Sequence, residues 1–120
     1  MTKDTKTNLD ALSARIAQFC RDRDWEQYHN PKNLSMALAI EAAELMEIFQ
    51  WLTLAESHKD KLSPAQKQAI EEEIADVMIY AIRMAQVLDI DILEAVAKKI
   101  DKNNIKYPVE KIKGKSRLEE

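Results

Sequence analysis

Two pairs of acids are set apart by residue type and spacing: Glu41-Ala42-Ala43-Glu44, and later Glu73-Ile74-Ala75-Asp76. Each pair is spaced i, i+3, so on a helix its two carboxylates stand one turn apart on the same side. Two such helices could bring four acids together. Leu34, Leu38, Leu45, Ile48 and Leu52 form an apolar stripe at helical spacing; Glu41 falls within it, and Glu44 lies to one side, in line with Trp51. A carboxylate on a stripe destined for burial is costly unless its charge is compensated. A hard cation does this, and magnesium takes oxygen ligands from carboxylates, waters and substrate phosphates. For a single Glu, a buried Arg or Lys or a helix edge open to water serves equally well; two matched pairs favour a metal.

The elements that must carry these acids are helices. Leu9, Leu12, Ile16 and Phe19 recur at helical spacing with Thr7 or Asn8 as N-cap, which predicts a first helix to about residue 24. Asn30 as N-cap and Pro31 at the first helical position open a second helix, expected to run to about residue 54. Ser63-Pro64-Ala65-Gln66 reads as a capping box with Pro at N1 and opens a third, which carries Glu73, Asp76 and Tyr80 on one side. Its second half, residues 77–88, is apolar almost all round and is interrupted by Arg83 and Gln86. A helix without a polar face is buried on every side, and in a chain of 120 residues that asks for contacts from a second copy. Asp89 or Asp91 caps a fourth helix, which ends near Lys106-Tyr107-Pro108. The expected fold class is all-α, a four-helix bundle assembled as a homo-oligomer. One helical domain spans residues 1–108, and a flexible charged tail spans 109–120.

Composition narrows the chemistry further. Hydrophobic residues make up 46% and charged ones 32%, with a single glycine, as suits helices and rules out a glycine-rich phosphate loop. Stretches free of charge are short, among them Val77 to Ile82, and the longest, residues 33–40 and 48–55, are far too short to span a membrane. No apolar leader follows Met1, and Cys20 has no cysteine to pair with, so a cytoplasmic protein with a structural thiol is expected. Net charge is −3, yet Lys98 to Arg117 carry eight basic side chains against two acids. Such a basic end meets phosphates or is simply solvated; duplex nucleic acid is a poor partner for the acidic body. Zinc-site spacing and a Ser-His-Asp arrangement are absent from the sequence. Residues 25–31 form a connector with Trp25, Tyr28 and His29, an unusual density of rings for a loop. They line a pocket for a planar group or plug the end of the bundle.

These residues resemble the all-α MazG-like nucleoside triphosphate pyrophosphohydrolases. Glu41, Glu44, Glu73 and Asp76, with 28 residues between the pairs, match the family's Glu-x-x-Glu and Glu-x-x-Asp pattern. The dCTP pyrophosphatase branch is closer still, on Trp25 to His29 with Pro31 and Asn33, Glu41 to Trp51, Asp76 to Tyr80, and Lys99 to Pro108. The resemblance implies that Glu41, Glu44, Glu73 and Asp76 bind magnesium, with manganese able to substitute, and form the catalytic set. It implies that Trp25, His29, Asn33, Trp51 and Tyr80 meet the nucleoside, and that Lys99, Asn103, Lys106 and Tyr107 face the phosphates. The partners it implies are a nucleoside triphosphate, dCTP or a related or modified deoxynucleotide, and further copies of the chain in a dimer or tetramer. The activity it implies is housecleaning of the nucleotide pool by release of pyrophosphate. Ile16 and Lys106 depart from the branch, where a His and an Arg are usual, which leaves base preference open. Two other readings stay open at this point: an all-α dUTPase-like hydrolase, and a non-enzymatic helical interaction module.

Overall fold

Helix starts follow local capping chemistry. The computed structural model describes residues 8–117. Asn8 accepts the Ala11 N–H at 2.8 Å and opens α1 (Leu9–Asp22). Asn30 accepts the Asn33 N–H at 2.9 Å and opens α2 (Pro31–Phe49), with Pro31 at a position that needs no N–H. Ser63 and Gln66 bond reciprocally, at 3.1 and 2.8 Å, to open α3 (Pro64–Val87). Asp91 accepts the Glu94 N–H at 3.1 Å and opens α4 (Ile92–Lys106). A short turn, α5 (Val109–Ile112), follows Pro108 in the stretch read from sequence as tail. All elements among the described residues are helical, and none is long and apolar enough to cross a membrane.

Two helix ends differ from expectation. The first helix stops at Asp22 because Asp24 turns left-handed, at φ 54°. The Trp25 N–H then returns to the Cys20 carbonyl and the Asp24 N–H to the Arg21 carbonyl, both at 3.0 Å, which is a Schellman closure with Asp in the place glycine usually takes. The second helix stops at Phe49, short of residue 54, although Leu52 and Leu54 prolong its apolar pattern. A competing local bond explains this: the Thr53 N–H donates to Glu56 at 2.8 Å, and the Glu56 N–H to Thr53 Oγ1 at 3.1 Å. The same exchange holds the Glu56 carboxyl below its ordinary range, through the Thr53 backbone and then its hydroxyl.

The chain divides between Asp89 and Ile90 into two compact units, α1 to α3 in one and α4 with α5 in the other. Within the first unit, α3 packs against α2 and, less extensively, α1. Its buried interior is small: Cys20, Leu34, Ile82 and Ala85, together with the Arg83 side chain. Met36, Ile40 and Met46 on α2 and Ile74, Met78 and Ile79 on α3 stay exposed, so the apolar α3 has faces that its own chain does not cover.

Candidate active site

The pairing of α2 with α3 brings the acids together. One carboxylate oxygen from each of Glu41, Glu73 and Asp76 lies within 4.8 Å of the other two. Glu41 Oε2 and Glu73 Oε2 are buried with no hydrogen-bond partner. Burial, followed by the proton that a protonated Glu41 would share with Glu73 and Glu44 and by the charges of Glu44 and Asp76, pushes the Glu41 carboxyl up to about 7. Glu44 is exposed, and it acts on Glu41 from the side. Oxygens crowded in this way, two of them with no donor, fit a divalent cation: the repulsion that raises Glu41 is what a positive charge would remove.

Beside the acids is a cavity of about 610 Å³ lined by side chains of α1, the connector, α2 and α3. Glu41 and Asp76 lie on its wall with Trp25, His29 and Tyr80, and Ile16, Phe19, Cys20 and Ile79 give it apolar surface. The Schellman closure turns Trp25 back onto α1, where its ring meets Phe19 edge-on at 5.6 Å between centroids. Trp25 in turn stands edge-on to His29 at 6.1 Å. Burial, then the charges of Glu41 and Asp76, raises the Tyr80 phenol above its usual 10, so it keeps its proton.

His29 is bonded to α3. Arg83 Nε donates to His29 Nδ1 at 3.1 Å, Arg83 Nη1 donates to Gln86 Oε1 at 2.9 Å, and Gln86 Nε2 reaches the Ser13 carbonyl and hydroxyl at 2.7 Å. Burial, then the charge of Arg83, lowers the His29 imidazole from 6.5.

Of the residues expected at the site, Trp25, His29, Glu41, Asp76 and Tyr80 line the cavity, and Glu73 joins the carboxylate cluster. Asn33 does not line it: its side-chain amide donates to the Tyr28 carbonyl at 3.0 Å and pins the connector to α2. Trp51 does not line it either; it follows the end of α2 and is 87% exposed. Lys99, Asn103, Lys106 and Tyr107 lie in the second unit, all exposed, with the Lys106 ammonium 5.3 Å from the centre of the Tyr107 ring. Sequence reasoning gave no role to Arg83, Gln86 or Ser13. The signal was present, because Arg83 and Gln86 are the two interruptions of an apolar run and are spaced i, i+3, the rule that singled out the acids.

The family pattern described as MazG-like matches residues 36–118. Among relatives, the human protein dCTP pyrophosphatase 1 is 42% identical over 109 residues, which are 91% of this chain and 64% of that protein. Its rat counterpart is 41% identical over 106 residues, 88% of this chain and 62% of that protein, so the chain spans less than two thirds of the length of these relatives. The crystal structure of a pyrophosphatase from Archaeoglobus fulgidus DSM 4304 is 42% identical and superposes with a TM-score of 0.77, covering 83% of this chain and 92% of that one. With Glu41 on α2 meeting Glu73 and Asp76 on α3 and most of its length matched, the chain belongs to the MazG-like family.

Proposed function

We propose that this protein is a magnesium-dependent nucleoside triphosphate pyrophosphohydrolase. It adds water to a deoxynucleoside triphosphate, breaks the bond between the α- and β-phosphates, and releases a nucleoside monophosphate and pyrophosphate. The observation that carries this reading is the meeting of Glu41, Glu73 and Asp76, with two orphaned oxygens, at the wall of a ring-lined cavity. The name shared by the human and rat relatives makes dCTP the first substrate to test.

Glu41, Glu73 and Asp76, with Glu44 reaching in from the side, are the residues that would hold magnesium or manganese. The cation's contribution there is to neutralise phosphate charge and polarise the phosphorus under attack. A carboxylate oxygen left free of the cation accepts a proton from water and orients it. Trp25 offers an aromatic surface to the base, at roughly 1–3 kcal/mol per stacked ring. Tyr80, held protonated, donates from beside Asp76, and the apolar walls keep bulk water from the sugar and base. Asn33 sets the connector through its bond to the Tyr28 carbonyl, and Trp51 is a ring that meets substrate only in an assembly of copies. Lys99, Asn103, Lys106 and Tyr107 supply charge and hydrogen bonds to the phosphates.

The exposed apolar faces of α2 and α3 support a homo-oligomer, dimer or tetramer, which sedimentation equilibrium reads directly. The activity is tested with a panel of nucleoside triphosphates in magnesium or EDTA, the products being separated by chromatography. Monophosphate plus pyrophosphate, lost in EDTA, is the expected result. Release of single phosphates would overturn it, and hydrolysis of dUDP as well as dUTP would point to the dUTPase-like reaction.

A further inference from the structure

Arg83 is 8% exposed, lines the cavity, and among the described residues has neutral acceptors and no carboxylate as partners. A buried guanidinium without a counter-charge is costly, so its position needs a reason. It carries five N–H groups and no acceptor. Its bond to His29 Nδ1 uses the imidazole's one lone pair on that nitrogen, which places the proton of the neutral ring on Nε2. Gln86, anchored on Ser13 of α1, holds the guanidinium from the other side. After these bonds are made, the His29 Nε2–H and the remaining Arg83 N–H groups are donors only. Of the other polar side chains on the cavity wall, Arg15 is a further donor, Tyr80 keeps its phenol proton, Cys20 offers a thiol, and Glu41 and Asp76 belong to the carboxylate cluster.

We propose that Arg83 is a specificity-determining residue: by fixing His29 in the Nε2–H tautomer and adding its own donors, it selects a base edge with adjacent acceptors. Cytosine presents N3 and O2 in this way. Thymine and uracil present an N3–H beside the carbonyl, which would meet a donor head-on. This rests on the nucleotide reading of the cavity and deepens it by naming what sorts the bases.

The test has two parts, and neither needs turnover. Long-range 15N–1H spectra of the free protein read the tautomer of His29, with His58, the other of the two histidines, as internal reference. A protonated Nε2 and bare Nδ1 are expected; a proton on Nδ1 overturns the proposal without any mutation. Calorimetric titration with dCMP, dTMP and dUMP in magnesium then reads selectivity. The wild type should favour dCMP by roughly tenfold or more, Arg83→Met should bring the ratio near one, and Arg83→Lys should keep part of it by donating to Nδ1. A folded Arg83→Met with the ratio unchanged, or a wild type with no preference for dCMP, overturns the proposal. Failure of the proposed hydrolysis shows separately, as triphosphates left intact by a protein whose tautomer and base preference are as stated.

Discussion

Replacing Glu41 by Gln should stabilise the protein in the absence of metal and abolish its response to metal. The Glu41 carboxyl is carried from an ordinary 4.5 to about 7 by burial and by its neighbours Glu73, Glu44 and Asp76. At about 1.4 kcal/mol per pH unit, keeping it charged in the folded state would cost about 3 kcal/mol in full burial, and solvent screening at this partly exposed position brings that to about 1–2 kcal/mol. The sign follows from its raised value: the stability that the protonated form contributes is complete below 4.5 and is lost as pH rises through about 7. A glutamine in its place has no charge to lose, and its amide can donate to the carboxylates that face it. In EDTA at pH 8 the variant should therefore melt about 5–10 °C above the wild type, a gap that closes as pH falls to 5. Lowering of His29 acts in the opposite direction, with stability present above 6.5 and lost as pH falls, but it is common to both proteins and cancels in their difference. Millimolar magnesium should reverse the order, because binding to the folded state stabilises only the protein that binds. Differential scanning calorimetry at pH 5 and 8, with and without magnesium, measures all four corners. A variant that melts below the wild type in EDTA at pH 8, or gains as much from magnesium, refutes the electrostatic account of the cluster.

Three further outcomes are expected. Trp25→Ala removes the ring that stands between Phe19 and His29, and should weaken nucleotide binding roughly tenfold, seen as a rise in KM greater than the fall in kcat; an unchanged KM would place the base elsewhere. Asp24→Ala puts an ordinary side chain at φ 54° and should cost about 1 kcal/mol in denaturant melts, whereas Asp24→Gly should cost nothing; equal behaviour of the two would mean that the left-handed turn does not hold Trp25. Deoxycytidine, which lacks phosphates, should bind equally in magnesium and EDTA, while dCTP should bind only with the cation. Cation-dependent binding of the nucleoside would contradict a cavity in which acids and base-facing donors are separate groups.

What could be read from the sequence followed the range of the forces involved. Caps are settled by three or four consecutive residues, so Asn8, Asn30, Ser63 and Asp91 marked their helices. The acid cluster was legible for a related reason: i, i+3 spacing fixes each pair on its helix face, and Glu41 on an apolar stripe points toward the facing helix. Helix ends were harder to read. Leu52 and Leu54 carry the periodicity past Phe49, where a reciprocal Thr53–Glu56 bond wins, and the turn after α1 uses Asp24 where glycine would have announced it. The bond from Arg83 to His29 spans 54 residues and depends on how α3 meets the connector, a tertiary fact that no local pattern encodes. The same holds for Trp51: heptad spacing aligns it with Glu44 only while the helix lasts, and the helix ends first.

The cavity's two kinds of polar group carry opposite costs, and this ties stability to function. Crowded carboxylates raise the free energy of the folded chain, and so does a guanidinium buried among neutral acceptors; the proposed cation would relieve the first, and the proposed base edge would accept from the unused N–H groups of the second. Apolar residues in both places would stabilise the fold, yet they would leave nothing that answers to phosphate charge or to the pattern of a base. The fold tolerates the cost because each group is tied down locally. Capped helices hold the acids, and the Ser13–Gln86–Arg83–His29 chain joins α1, α3 and the connector without using the α2–α3 contact. Damage to one end should therefore leave the other in place, so that Glu41→Gln keeps the His29 tautomer and Arg83→Met keeps the magnesium response.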